Sequence, residues 1–162
     1  MKRKDQREWL VKMTYEALVR REKSQDIEAL LAAHELPVGN PYLIDSMTSL
    51  FHHWDELEKL VQKHLNNWKL ERLPLIDRAI LMVAANEMAY TKLAPPSVTI
   101  NECVEIAKSY SDASSFRFVN GVLASVFQDL QTAKEGSDQP GESSSAPADL
   151  KDDFSDEETI RR

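Results

Sequence analysis

Residues 74–90, PLIDRAILMVAANEMAY, form an unusually apolar segment for a chain of this composition. Its apolar positions recur at intervals of three or four residues, which is the spacing of a helix rather than a strand: Ile76, Ile80, Leu81, Val83, Ala84 and Met88. Pro74 suits the first turn of a helix, where its missing N–H has little effect. Pro95 and Pro96 are expected to end the helix. The segment predicts a buried central helix.

The segment before it carries a longer helical pattern. Its apolar residues step by three or four throughout: Ile44, Met47, Leu50, Phe51, Trp54, Leu57, Val61, Leu65 and Trp68. This spacing predicts one helix of about 24 residues, roughly 36 Å long. Two more helices are expected upstream, over about 4–23 and near 27–34, followed by a turn cluster at 37–41.

Two helices are predicted after the central one. Residues 99–102, Thr-Ile-Asn-Glu, match a capping box, so a helix is expected to begin at Thr99. A polar break at 111–115 precedes a last helix, capped by Ser114 or Ser115, that ends near Thr132. Residues 133–162 are acidic and rich in Ser, Pro and Gly, which predicts disorder. We therefore expect an all-α domain at 1–132 and a disordered acidic tail at 133–162.

Charge is distributed unevenly along the 162 residues, whose formal net charge is −7. Residues 134–162 hold nine acidic and four basic residues, a net −5, whereas residues 2–23 hold eight basic and four acidic residues, a net +4. The single cysteine excludes an intramolecular disulfide and favours a reducing compartment. Because no stretch approaches the roughly 20 apolar residues of a membrane span, we expect a soluble, cytoplasmic protein.

The basic start of the first helix is one candidate site. Its basic residues are Lys2, Arg3, Lys4, Arg7 and Lys12, with Tyr15 nearby. Cations here could bind phosphates and the tyrosine could stack on a base. The alternative is a solvated helix start, which is weakened because cations at a helix N-terminus oppose the macrodipole. From composition alone both interpretations stay open, and the ligand could be RNA or another polyanion.

Residues 114–121, Ser-Ser-Phe-Arg-Phe-Val-Asn-Gly, are a second candidate site. Aromatic rings at Phe116 and Phe118 flank Arg117 at a helix start, an arrangement suited to a nucleic-acid strand. The other interpretation is an N-cap followed by core aromatics, with Gly121 at a close helix crossing. Both interpretations remain open at this point.

Signs of catalysis or metal binding are missing from the sequence. His52 and His53 are adjacent, so they point to different sides of a helix, and His64 is too distant to share a ligand sphere with them. Cys103 lies on an apolar helix face and is expected to be a buried, inert thiol. No Gly-rich phosphate loop, paired-carboxylate signature or catalytic triad is present. We predict a non-enzymatic protein without a cofactor or metal.

Three ordered motifs resemble the NusB family. They are Trp68-x-x-x-Arg72-Leu73-x-x-x-Asp77-Arg78-Ala79-Ile80-Leu81, then Pro95-x-x-Val98-x-Ile100-Asn101-Glu102-x-Val104-Glu105-x-Ala107-Lys108, then Phe118-Val119-Asn120-Gly121-Val122-Leu123. The basic Arg3-x-x-x-Arg7 start ahead of Tyr15 is also similar. Together the matching residues span 2–130.

The resemblance implies a bundle of about seven helices in two subbundles. It also implies a transcription antitermination factor that binds single-stranded boxA-type RNA with NusE, a small-subunit ribosomal protein, in a complex with RNA polymerase that supports ribosomal RNA transcription. By position, it assigns RNA contacts to Arg3, Lys4, Arg7, Tyr15, Arg117, Phe118 and Asn120. It assigns the NusE surface to the exposed side of the central helix, at Glu87 with Tyr90 and Thr91 near it.

Two other functions fit the sequence. One is the NusB-like domain of a ribosomal RNA cytosine methyltransferase, but the chain ends before any catalytic domain. The other is a helical adaptor that binds only protein, which the basic first helix argues against. The acidic tail is interpreted as solubilising; the alternative is that it competes with RNA for the basic helix.

Overall fold

The computed structural model describes residues 1–110 and 112–138, and these residues are helical throughout apart from short connections. The α-helices are α1 (Arg3–Arg20), α2 (Ile27–Ala33), α3 (Pro41–His52), α4 (Trp54–Lys63), α5 (Leu75–Asn86), α6 (Pro96–Tyr110) and α7 (Ala113–Asp138). A 3₁₀ turn (Leu70–Arg72) precedes α5, and a π-helical turn (Glu87–Thr91) follows it. The predicted all-α class is confirmed.

Helix α5 is the centre of the bundle. It packs against α1, α3, α4 and α6, while α3 also packs against α1 and α2. Every side chain from Ala79 to Ala85 is buried. The predicted buried central helix is therefore confirmed, although Pro74 lies just before the first turn, as its N-cap residue.

The predicted single helix over residues 44–68 is wrong, because α3 ends at His52 and α4 begins at Trp54. The backbone of His53 leaves helical geometry, with φ −102° and ψ 21°. The ring Nδ1 of His53 lies 3.0 Å from the Ser49 carbonyl oxygen, which also accepts the His53 backbone N–H at 2.9 Å. Periodicity did not reveal the break, because both helices bury their apolar face against α5.

The end of α5 also differs from the prediction. The helix continues as the π-helical turn and stops at Lys92, which adopts a left-handed conformation with φ 51°. The Lys92 N–H donates to the Glu87 carbonyl at 2.8 Å and closes the wide turn. The chain therefore leaves the helix before it reaches Pro95 and Pro96.

The predicted capping box at Thr99 is wrong. Helix α6 begins at Pro96, and the Thr99 N–H donates to the Pro95 carbonyl at 3.1 Å. Thr99 is fully buried, and its hydroxyl has no hydrogen-bond partner in the structure. A proline in the first turn starts this helix, because its backbone angle is already helical and its missing N–H has no consequence there.

Helix α7 differs from the prediction at both ends. The Asp112 carboxylate accepts the Ser115 N–H at 3.0 Å, so the cap comes from Asp112 rather than from Ser114 or Ser115. The helix continues to Asp138, so disorder from residue 133 is wrong for residues 133–138. The rest of the predicted tail, 139–162, lies outside the described residues.

The chain divides into a compact unit, Met1–Phe127, and a second unit that begins at Gln128. The predicted domain boundary at residue 132 stays a prediction. In the described ranges 1–110 and 112–138, no helix is long and apolar enough to cross a membrane.

The thiol of Cys103 is fully buried in α6, as expected. Burial, followed by the charge of Glu87, raises its pKa to about 12. We predict that a disulfide reagent at pH 8 modifies Cys103 at least ~100-fold more slowly in the native protein than in urea, because reaction requires local opening. Equal rates in the two conditions would contradict the burial.

Candidate nucleic-acid interface

Helix α1 presents its predicted basic residues on two different sides. Lys4, Glu8, Lys12 and Tyr15 are spaced by four, four and three residues, so they follow one face of the helix. Tyr15 is 41% exposed, and Lys4 and Lys12 are also exposed. Lys2 is exposed at the N-cap position. This face can offer ammonium groups and an aromatic ring to a ligand.

Arg7 does not belong to that face. Its side chain is only 1% exposed, and its Nε lies 3.1 Å from each carboxylate oxygen of Glu87, while Nη2 lies 2.9 Å from Oε2. Burial opposes the guanidinium charge, but the hydrogen bonds and charge of Glu87 outweigh it and raise the pKa of Arg7. The expected exposed position of Arg7 is corrected: its donors are directed to Glu87, within the protein.

The expected position of Glu87 on the exposed side of the central helix is also wrong. Its side chain is 3% exposed, since α5 and the turn after it are buried continuously from Ala79 to Met88. Besides Arg7, the Tyr42 hydroxyl donates to the Glu87 carboxylate, 3.2 Å from each oxygen. Burial first, and then the charge of Glu87, raises the pKa of Tyr42 and keeps that hydroxyl protonated.

Arg3 covers this network from outside. Its guanidinium carbon lies 3.9 Å from the centre of the Tyr42 ring, a cation–π contact. The predicted basic patch is therefore divided: Arg3 and Arg7 face Tyr42, whereas Lys4 and Lys12 share the face that holds Tyr15.

A groove of about 520 Å³, which we call the tyrosine groove, runs beside that second face. Its lining residues are Lys12, Tyr15, Pro74, Leu75, Ile76 and Tyr110. The Tyr110 hydroxyl donates to Glu8, and this hydrogen bond raises the pKa of Tyr110 to about 12. The ammonium of Lys12 lies 3.9 Å from the same Glu8 carboxylate. The groove is thus mainly apolar, with polar groups along its α1 edge.

A smaller groove of about 310 Å³, which we call the α6–α7 groove, lies between α6 and the start of α7. Its lining residues are Asn101, Val104, Glu105, Lys108, Phe116, Arg117 and Asn120. The Phe116 ring is approached by Lys108, whose ammonium is 5.1 Å from the ring centre, and by the Arg117 guanidinium at 5.6 Å.

Two of the three residues of α7 that are expected to bind RNA line the α6–α7 groove. Arg117 and Asn120, one helical turn apart, are both exposed to it, whereas Phe118 is half-buried on another side of α7. The suggested close helix crossing at Gly121 is wrong, because a Cβ there would meet no atom within 4 Å.

The C-terminal end of α6 contributes a residue to each of the two grooves. Tyr110 reaches α1 through Glu8, while Lys108, two residues earlier, reaches Phe116 of α7. The sequence analysis did not identify Tyr110 or Lys108 as candidate site residues. Tyr110 was overlooked because it continues the apolar spacing of α6. The available signal was their position just before the polar break at 111–115.

Tyr90 is the exposed member of the predicted partner-binding residues. It is 39% exposed, and its ring stacks on His53 with centres 3.6 Å apart and planes 6° apart. Thr91 is half-buried, and its hydroxyl oxygen is buried without a hydrogen-bond partner. His53 was not expected in this surface, because the break between α3 and α4 that places it was not foreseen.

Metal binding has no support from the residues described. The rings of His52 and His53 contact each other edge to face, with centres 4.7 Å apart. Within 1–110 and 112–138, no three His, Cys, Asp or Glu side chains converge as a metal site would require.

Comparison with known proteins identifies the family. The NusB family model matches residues 4–128. The transcription antitermination protein NusB of Bacillus subtilis (strain 168) is 39% identical over 104 residues, which cover 64% of this chain and 79% of the relative. That of Bacillus mycoides (strain KBAB4) is 35% identical over 126 residues, which cover 78% and 97%.

Solved structures share the fold. T. maritima NusB superposes with a TM-score of 0.70 at 26% identity, covering 85% of this chain and 98% of that protein. A chain from a complex described as antitermination factors NusB and NusE with dsRNA gives a TM-score of 0.68 at 23% identity, covering 78% and 96%. From the family match and the two Bacillus relatives, the chain belongs to the NusB family of transcription antitermination proteins.

Proposed function

We propose that the protein binds boxA-type RNA together with NusE and acts in an antitermination complex on RNA polymerase that supports ribosomal RNA transcription. It acts by binding and not by catalysis. The observation that carries the proposal is that the last turn of α6 contributes to two grooves with basic and aromatic linings, Tyr110 to the tyrosine groove and Lys108 to the α6–α7 groove. The solved complex that pairs a NusB-fold protein with NusE and RNA supports the same partners.

The chemistry of this surface suits RNA. Lys12, Lys108 and Arg117 can bind phosphates, which gives salt-sensitive affinity, and Tyr15 and Phe116 can contact bases. Lys4 extends the charge toward the N-terminus of α1. The net negative charge of the chain does not oppose this role, because most of it lies in residues 134–162.

The NusE surface is proposed around the Tyr90–His53 stack. Tyr90 is exposed and its ring is backed by the half-buried ring of His53, and an exposed aromatic ring of this kind can concentrate binding energy in a protein interface. Glu87 is buried and bound to Arg7 and Tyr42, so it is not proposed to touch the partner.

The experiment is fluorescence anisotropy of a labelled boxA-like RNA, with and without NusE, across a salt series. We expect tighter binding with NusE, preference over a scrambled RNA and a negative salt slope. Binding that ignores sequence would contradict the boxA assignment. No RNA binding in either condition would favour the protein-only adaptor.

A further inference from the structure

We propose that the exposed ring of Trp68, together with the cations around it, is a docking surface for an acidic segment of a partner protein that carries an apolar side chain. The ring belongs to the tryptophan loop, residues 64–69, which joins α4 to the 3₁₀ turn. None of these residues lines either groove. The surface therefore adds a protein contact that depends on neither the RNA nor the NusE assignment.

Trp68 is exposed although apolar residues close to it in the chain are buried. Among the residues that the structure describes, it has the most exposed aromatic side chain, at 57%, whereas Leu65 and Leu70 are buried. Tryptophan is well buried on average in folded proteins. The fold itself gains little from an indole at this position, which points to a contact outside the chain.

The backbone that carries Trp68 is held in place. The Gln62 side chain donates through Nε2 to the Trp68 carbonyl at 2.8 Å, and its Oε1 accepts the Leu70 N–H at 2.8 Å. Asn67, just before the tryptophan, adopts a left-handed conformation with φ 64°, which asparagine tolerates. A side chain on a fixed backbone loses less freedom when a partner binds, so more of its contact energy appears as affinity.

The charge around the ring selects an acidic partner. Residues 59–72 have a net charge of +3, because one acidic residue, Glu71, stands against four basic residues. All four basic side chains are exposed: Lys59, Lys63, Lys69 and Arg72. Lys59 lies three residues before Gln62 on the same side of α4, and Lys69 follows Trp68 directly. Complementary charge of this kind speeds encounter with an acidic segment and disfavours a basic one.

A single ring favours a protein segment over a nucleic acid. Single strands are held by aromatic side chains on which successive bases stack, and Trp68 is the one Phe, Trp or Tyr residue in 59–72. Tryptophan is also among the residues that most often carry the binding energy of protein interfaces. We expect the partner's apolar side chain to cover the indole while its carboxylates face Lys59 and Lys69.

The test titrates the whole chain into a short labelled peptide of aspartate and glutamate around a central Phe-Leu pair, followed by fluorescence anisotropy. We expect saturable binding that shifts the NMR signal of the Trp68 indole N–H. Trp68→Ala should raise Kd about 30-fold, the loss of an interface hot spot worth about 2 kcal/mol, and Trp68→Phe should recover most of the affinity. Lys59→Ala with Lys69→Ala should raise Kd about tenfold, from about 0.7 kcal/mol for each lost ion pair. The double variant Lys12→Ala and Arg117→Ala, which removes the same charge from the two grooves, is the matched control and should stay near wild type.

The other outcomes overturn the proposal. One is a wild-type chain that shows no saturable binding of the peptide. Another is equal binding of a peptide with serines in place of the Phe-Leu pair, because charge alone would then explain the affinity. If Trp68→Ala weakens binding of a boxA-like RNA as much as binding of the peptide, the surface belongs to RNA. If Trp68→Ala loses helicity by circular dichroism, the lysine variant decides. Loss of the peptide contact leaves the proposed function standing, since RNA and NusE are measured separately.

Discussion

Replacement of Arg7 by alanine is expected to lower the free energy of unfolding by about 3–5 kcal/mol, because it leaves the Glu87 carboxylate buried without its cation. Arg7 donates to both oxygens of Glu87, and neither side chain is more than 3% exposed. Urea unfolding followed by helical circular dichroism measures the change. The family resemblance assigns Arg7 to RNA contact, whereas this prediction concerns its buried pairing with Glu87.

Two controls separate the buried pair from a general effect of charge. Arg3→Ala removes the same charge from the same helix, but Arg3 is exposed and lies over the face of Tyr42, so a loss of about 1 kcal/mol or less is expected. The triple variant Arg7→Met, Glu87→Leu and Tyr42→Phe replaces the whole network with apolar groups and should recover most of the stability. An Arg7→Ala variant as stable as Arg3→Ala would show that the pair is not formed.

Removal of one cation from each groove, in the double variant Lys12→Ala and Arg117→Ala, is expected to weaken RNA binding about 100-fold, roughly tenfold for each charged group removed. The slope of log Kd against log salt should become shallower by about 2, one unit for each phosphate that the variant no longer neutralises. Both side chains are exposed, so thermal unfolding should be unchanged. Anisotropy over a salt series gives both quantities.

The matched control removes two exposed lysines that line neither groove, Lys59→Ala and Lys69→Ala, with the same change in net charge. Its affinity and salt slope should stay near wild type. If both double variants weaken binding equally, the effect is one of total charge and the grooves are not the RNA surface.

The helices could be predicted from the sequence, and one of their breaks could not. Apolar spacing identifies each helical segment because each buries one face against a neighbour. The same spacing continues through His53, where the helix ends, because α3 and α4 both pack on α5. The break depends on the His53 side chain and Ser49, a local competition for one carbonyl that hydrophobic periodicity does not register.

The candidate site was predictable in composition and not in arrangement. A basic first helix suggested that its cations were exposed together, yet Arg7 turns inward because an acidic group 80 residues away, Glu87, is buried in the turn after the central helix. Tyr110 shows the reverse error: its place in an apolar pattern hid an exposed ring that links α1 with α6. Both outcomes depend on interactions between distant segments, which residue type alone does not give.

The distance in sequence between Arg7 and Glu87 also affects biosynthesis. Helix α1 leaves the ribosome before the central helix does, and at ~5–20 residues per second the 80 residues between Arg7 and Glu87 take about 4–16 s to make. Until then the apolar face of α1, with Leu10, Val11 and Met13, can pack only against α3 among the helices that bury it. The nascent chain therefore depends on the arrival of the central helix before α1 can be buried completely.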